Sequence, residues 1–210
     1  MLRDISIPMD AATPEWPGDT PFSCGWTWSM RDGASVNVST ITTSPHVGTH
    51  ADAPLHVRDG WPASDALPLE AFIGPALVCH VRPALAELAL DDLPAIPAEG
   101  TIARLLLRTD CTIADGRFPA AWPVLAADTV RALLARGLRL FGVDAPSVDA
   151  RESTTLDIHR QLFEAGASVL ENLDLRDVAD GEYELIALPI KVMGLDAAPV
   201  RAMLRGSRES

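Results

Sequence analysis

Ser44-Pro45-His46-Val47-Gly48-Thr49-His50-Ala51-Asp52-Ala53-Pro54-Leu55-His56 gathers three of the chain's five histidines and one carboxylate into the eleven residues from His46 to His56. Pro45 lacks a backbone donor, Gly48 is permissive in φ and ψ, and Pro54 pushes Ala53 out of the α region, so the segment cannot be a helix. The four-residue spacing of His46 and His50 therefore lacks the meaning it has in the helical HExxH pattern. A tight extended turn is expected to present these side chains instead. Imidazole with carboxylate suits Zn²⁺ and its neighbours, and the lack of cysteine points away from a sealed structural zinc and toward a site open to water. The plainer reading, three unrelated histidines in a surface loop, fits poorly with the scarcity of histidine elsewhere.

Around this segment lie 210 residues, 48% of them hydrophobic, enough for one domain with a sizeable core and with no run long enough to span a bilayer. One catalytic domain over residues 1–210 is expected. The first residues lack the apolar core and small-residue cleavage site of a signal peptide, which makes a cytoplasmic location the default expectation. Cys24, Cys79 and Cys111 are far apart and without CxxC spacing, so they are read as reduced packing residues. A formal net charge of -12 disfavours a phosphate-backbone partner, since nucleic-acid binding rests largely on clustered Lys and Arg.

Residues 2–7, 22–30 and 35–41 alternate apolar and polar positions, with Pro17-Gly18-Asp19 and Asp32-Gly33 as turn signals, and are expected to form an antiparallel group of strands. Residues 73–81, 102–108 and 138–143 are apolar runs of buried-strand length. Residues 88–93 read as a short helix or loop. Helical spacing of Val130, Leu133 and Leu134 predicts a helix over 127–136, ended by Gly137. Ser153 and Thr154 are candidate N-caps for a second helix carrying His159 and stopping at Gly166. Residues 168–170 resume as a strand that delivers Glu171-Asn172, and 183–192 and 200–204 supply the last strands. The pattern predicts a single α/β domain with a mixed sheet.

Two later residues are able to complete a metal site. His159 lies on the second helix, whose apolar positions Leu156, Leu162 and Phe163 should face the core, but periodicity leaves its own face open. Glu171 follows Val169-Leu170, and a carboxylate at the buried end of a strand needs a cation or hydrogen-bond donors to offset its desolvation. By itself it is equally suited to pair with an arginine.

The pattern His46-x-Gly48-Thr49-His50-x-Asp52-x-Pro54-x-His56 resembles the HxGTHxDxPxH signature of the metal-dependent cyclase family, and within it the arylformamidase branch. The similarity extends to Trp16-Pro17-Gly18-Asp19-Thr20-Pro21-Phe22, to Gly142-Val143-Asp144-Ala145-Pro146-Ser147-Val148-Asp149, and to the His159 helix leading into Glu171-Asn172-Leu173. No position expected to bind metal departs from the pattern. The resemblance implies a swivelling β/β/α fold, usually dimeric, with two Zn²⁺ per subunit, although Mn²⁺ or Co²⁺ would accept the same ligands. It implies that His46, His50 and Asp52 hold one metal, and that Asp52 bridges to a second held by His159 and Glu171. His56 would stand free of both as acid and base, and Trp16 would line the substrate pocket.

Two metals about 3.5–4 Å apart share a hydroxide and polarise a carbonyl, and the departing aryl nitrogen then needs a proton, which a histidine is suited to move. The resemblance implies hydrolysis of an arylformamide, N-formyl-L-kynurenine, to L-kynurenine and formate in tryptophan catabolism. A cyclic-amide hydrolase of the isatin type and a non-catalytic metal-binding protein are the alternatives. Trp61, Phe22 and Phe72 add candidate apolar surface, and Arg58 is a candidate for the substrate carboxylate. His80 is expected to be structural; Asp144 and Asp149 flank Pro146 in a loop after a strand, a place of active-site and subunit contacts, and are expected to hold a turn or cap. Ser147 lacks the GxSxG elbow of a serine hydrolase.

Overall fold

The apolar runs read as buried strands become the centre of a nine-stranded mixed sheet. The computed structural model describes residues 2–82 and 85–206, so both ends of the expected 1–210 domain lie outside it. In chain order the elements are β1 (Leu2–Asp4), β2 (Ser23–Trp28), β3 (Val38–Thr42), β4 (His50–Asp52), β5 (Ile73–His80), β6 (Glu87–Leu88) and β7 (Arg104–Arg108). There follow β8 (Val124–Leu125), α1 (Ala127–Ala135), β9 (Leu140–Val143), α2 (Asp157–Glu164), β10 (Ser168–Glu171), β11 (Gly181–Ile186), β12 (Ala197–Pro199) and β13 (Met203–Gly206). The large sheet has the order β1-β13-β11-β5-β7-β9-β10-β4-β12. Its four central strands, β5, β7, β9 and β10, are parallel, and the flanking pairings are antiparallel.

β7, β9 and β10 are buried almost throughout because both faces of the sheet are covered there, whereas β5 is exposed at Ile73 and Pro75, so the expectation of a buried strand holds only for its second half. Leu105, Leu107, Phe141, Val143 and Val169 pack on one face with Val130 and Leu133 of α1 and Ile158, Leu162 and Phe163 of α2. Leu106, Leu140 and Leu170, their alternates, point the other way into a cluster with Ile5, Phe72, Val78, Leu185 and Leu204. The sheet curls around this second cluster. Ser6, just past β1, bridges to Leu173, just past β10, and the Asp174 N–H donates to the Ile5 carbonyl at 2.8 Å. Gly142 permits the close layering at β9, where a Cβ would lie 2.6 Å from Leu106 Cδ2 and 3.0 Å from Leu173 Cδ1.

Several expectations need correction. The three early strands do not form one group: β2 and β3 pair with each other as a separate ribbon, while β1 joins the edge of the large sheet through β13. Alternation sets which side a residue faces but not which strand is its neighbour. The run at 183–192 ends as a strand at Ile186, and of the run at 200–204 only Met203 and Leu204 are in a strand, β13, while Val200 makes an isolated bridge to Pro189. Pro189 and Pro199 have no amide hydrogen to extend a ladder. The second helix is not capped by Ser153 or Thr154. Its N-terminus turns at Leu156, with φ of 51°, and takes its cap from Asp149, nine residues upstream of Ile158.

Candidate metal centre

Register brings the site together. In β4, His50 and Asp52 are two residues apart and so point to the same side of the sheet. β4 pairs antiparallel with β10, setting Glu171 opposite His50 and Val169 opposite Asp52. The expected extended turn is thus two pieces: a turn carrying His46, then a strand buried between β10 and β12, followed by the short helical turn Pro54–His56. Gly48 makes the bend possible, since its φ is +71° and a Cβ would lie 2.8 Å from Met9 Cγ. α2 adds His159 from the face opposite its solvent side, 1% exposed. His46, His50, Asp52, His159 and Glu171 converge in this one place, at the carboxyl end of the parallel strands, where open α/β sheets commonly bind ligands.

The hydrogen bonds fix how the imidazoles face one another. His50 Nδ1 lies 2.9 Å from the Gly48 carbonyl, which only accepts, so Nδ1 carries the hydrogen and Nε2 turns inward. His159 Nδ1 donates to Asp149 Oδ2 at 2.7 Å, which turns its Nε2 toward Asp52 Oδ2 at 3.0 Å and Glu171 Oε1 at 3.2 Å. On the other side, Asp52 Oδ1 is 3.1 Å from His46 Nδ1 and 3.2 Å from His50 Nε2, yet it has no hydrogen bond of acceptable geometry to either. Glu171 Oε2 is 3.5 Å from His50 Nε2. Neutral imidazoles would aim lone pairs at carboxylate oxygens here, which is repulsive without positive charge among them. Protons or divalent cations supply it, and the mixed nitrogen and oxygen donors suit Zn²⁺, Mn²⁺ or Co²⁺. Each oxygen of Asp52 faces a different set of histidines.

Without metal, the protons stay. Burial alone would depress the imidazoles, but Asp52 beside both, aided by Asp196 at His46, raises His46 to about 10 and His50 to about 9. His159 rises well above its ordinary value through Asp149, Asp52 and Glu171, despite its burial. Burial likewise works to raise Asp52 and Glu171, and the facing imidazoles overcome it to hold both below the usual carboxylate range. The two sets of shifts have opposite consequences for stability. Raised histidines stabilise the metal-free fold fully below about pH 6.5, and this is lost as pH climbs through about 9 to 10. Lowered carboxylates stabilise it above about pH 4.5, and this is lost in acid. A metal must displace the histidine protons, so its affinity rises over the alkaline range where the metal-free fold weakens. The melting temperature gap between zinc-loaded and chelator-treated protein is therefore expected to widen from pH 6 to pH 9. A constant or shrinking gap in paired thermal melts would contradict this.

Above the cluster lies a cleft of about 470 Å³, lined by Trp16, Phe118, Pro146, Leu156, Asp19 and Asn172 with His46, His50, His56 and Glu171. The volume is in the range of small-molecule sites. Trp16 meets Phe118 edge-on at 5.3 Å between ring centroids. His56 is half-buried on this wall, and its donor atoms come within ligand reach of His46 and Asp52. Asn172 holds a left-handed backbone, φ 56°, with a buried side-chain oxygen lacking a partner. The remaining aromatic candidates lie elsewhere: Phe72 is in the core and Phe22 is not in the cleft wall. Arg58 lies over Trp61 at 5.1 Å, and neither lines the cleft, so Arg58 is not positioned to meet a substrate carboxylate there.

Two carboxylates matter more than the sequence suggested. Asp149, expected to hold a turn or cap, does cap α2, accepting from Ile158 N at 3.0 Å and His159 N at 3.1 Å, and the same carboxylate orients the His159 ring. Asp196 was not singled out at all. Its Oδ2 is 3.0 Å from His46 Nε2 and 3.5 Å from His56 Nδ1. Asp144 remains a turn residue, accepting from Thr109 N, Thr109 Oγ1 and Asp110 N, with burial raising its carboxyl to about 6. His80 pairs with Asp110 at 2.7 Å, outside the cleft wall. Cys79 is buried, Cys111 is half-buried, and Cys24 is exposed on the β2–β3 ribbon, correcting its reading as a packing residue; all three are free.

The family model described as putative cyclase matches residues 3–150. The chain belongs to the cyclase family. This cyclase-family chain is 46% identical over 204 residues, 97% of each chain, to a kynurenine formamidase of Bordetella petrii. Among solved structures it is similar to a predicted metal-dependent hydrolase from Bacillus stearothermophilus, with a TM-score of 0.80 and 27% identity over 97% of each chain. Isatin hydrolase A from Labrenzia aggregata shares the cyclase fold at a TM-score of 0.78 and 24% identity, covering 97% of this chain and 93% of that one. The α/β fold with its mixed sheet, read from the sequence, is the fold of these relatives. No helix among the described residues is long and apolar enough to cross a membrane.

Proposed function

We propose that this chain is an arylformamidase that hydrolyses N-formyl-L-kynurenine to L-kynurenine and formate, as a step of tryptophan catabolism. The observation that carries the reading is the convergence of three imidazoles and two buried carboxylates on the floor of an aromatic-walled cleft. The 46% identity to a kynurenine formamidase supports the substrate class. In this reading His46, His50 and Asp52 hold one Zn²⁺, and Asp52, His159 and Glu171 hold a second; the division of Asp52's two oxygens between two histidine sets supports it. When bound, such cations act as Lewis acids and lower the pKa of a coordinated water.

The chain's own residues do the rest. Trp16 and Phe118 offer flat apolar surface to the aryl ring and exclude water from it. His56 takes a proton from the attacking water as the new C–O bond forms at the formyl carbon. It returns that proton to the aryl nitrogen as the C–N bond breaks, leaving free amine and formate. Asp149 holds the His159 ring in the orientation that turns Nε2 inward.

Steady-state hydrolysis of N-formyl-L-kynurenine beside isatin, with and without a chelator, tests the reading. Fast, chelator-sensitive release of kynurenine is expected. Activity on isatin alone would discard the substrate, and silence on both would favour a different amide or a non-catalytic role.

The functional unit is a homodimer in this proposal, joined through the β2–β3 ribbon. Trp26 and Trp28 on that ribbon are 66% and 58% exposed, with Val38 and Ile41 beside them. A two-stranded ribbon is marginal alone, and an apolar patch of this kind marks an interface. Light scattering should give twice the chain mass for the parent and the single mass for a Trp26→Glu, Trp28→Glu double variant; a monomeric parent would end the idea. The three free cysteines suit a reducing compartment, and we place the enzyme in the cytoplasm.

A further inference from the structure

We propose that Asp196 is a positioning residue shared by the metal centre and the acid–base histidine, setting the hydrogen on His46 and His56 from a single carboxylate oxygen. The inference rests on the metal-centre reading above. Asp196 comes from the segment just before β12, which pairs with β4 so that Ala197 lies opposite Asp52. The Ala53 N–H donates to the Asp196 carbonyl at 2.8 Å, tying this backbone to the end of the strand that carries His50 and Asp52. From that anchor the Asp196 side chain reaches His46 Nε2 at 3.0 Å and His56 Nδ1 at 3.5 Å through the same Oδ2. The two rings it joins lie 4.5 Å apart, centroid to centroid.

A carboxylate only accepts, so each ring nitrogen facing Asp196 must be the one carrying hydrogen. When a cation displaces the other His46 proton, the hydrogen held by Asp196 stays on Nε2, so it is Nδ1, 3.1 Å from Asp52 Oδ1, that offers its lone pair. For His56 the same constraint leaves Nε2 as the base on the cleft wall that His56 lines. Without the carboxylate, each ring has two tautomers and a freer torsion, and only one arrangement of each is productive. Metal-ligating histidines generally depend in this way on a carboxylate or carbonyl behind them, and losing it costs 10- to 100-fold in metal affinity. Here one such group serves a ligand and a non-ligand together, so its removal should damage binding and turnover by separate routes.

The test uses the full-length chain with Asp196→Ala and Asp196→Asn. Asp196 is not a core residue, so both variants should melt close to the parent once zinc is bound. Zinc affinity is measured by competition with a chromophoric chelator, without substrate. Turnover of N-formyl-L-kynurenine is then measured at saturating zinc. For Asp196→Ala we expect zinc affinity to fall about 10- to 100-fold, and kcat at saturating zinc to fall about 10-fold or more while KM stays within about 3-fold. Asp196→Asn keeps an acceptor oxygen and should be intermediate in both. Unchanged zinc affinity in both variants would overturn the proposal whatever the turnover does. So would weakened affinity with full kcat restored at saturating zinc, since His56 would then not depend on Asp196. A parent chain that binds no zinc at all would overturn the metal-centre reading as well, which separates the two failures.

Discussion

Asp52→Asn is expected to strip the protein of most of its bound metal and to lower kcat/KM by about 10³-fold or more. The substitution keeps the shape of the side chain and leaves the backbone pairings of β4 with β10 and β12 intact. What it removes is the negative charge that faces His46, His50 and His159 at 3.0 to 3.2 Å. Each of Asp52's oxygens faces a different histidine set, so the loss should extend to both metals; replacing His46 should weaken only one. Asp52 is fully buried among these partners. Because that charge also pairs with the facing imidazoles, the variant should melt below the parent, and its metal content is read on protein shown by circular dichroism to be folded. Metal analysis by mass spectrometry alongside turnover decides the matter. A variant that keeps two equivalents of metal, or activity within 10-fold of the parent, would refute Asp52 as the shared ligand.

His56→Ala should lower kcat by about 10²- to 10⁴-fold, the usual worth of a positioned general acid and base, while bound metal stays at the parent's level. The contrast with Asp52 is the informative part. His56 stands on a short helical turn opened by Pro54 and is half-buried at the cleft, unlike the fully enclosed His50 and His159. Its nearest polar partner is Asp196, outside the cluster formed by His50, Asp52 and Glu171. Yet its donor atoms also come within ligand reach of His46 and Asp52, so a competing role as a metal ligand has a structural basis. Metal content separates the two. If metal and turnover fall together in His56→Ala, His56 is a ligand and the proton must be moved by another group.

The local parts of this molecule were legible because their signals are local. Apolar runs at 73–81 and 138–143 needed only period and length to be read as buried strands, and Gly137 marked the end of α1. The dense segment from His46 to His56 declared a metal site because proline and glycine exclude a helix and leave few other reasons to concentrate imidazole. The partner of β1 was not legible, nor was the cap of α2. Ser153 is the conventional capping residue close in sequence, but the tertiary fold delivers Asp149 to the helix end, where one carboxylate both caps the backbone and orients His159.

Asp196 shows the boundary most clearly. It lies 150 residues from His46 and 140 from His56, in a stretch with no motif around it. The sequence by itself determined the residue types able to bind metal and the apolar strands of an α/β fold. Only the tertiary structure decided that Glu171 stands opposite His50, that His159 faces inward, and that Asp196 backs two histidines at once. The physical reason is that composition and periodicity act over a few residues. The distances that set tautomers and join ligands depend instead on strand register and on which distant segments the two hydrophobic clusters draw together.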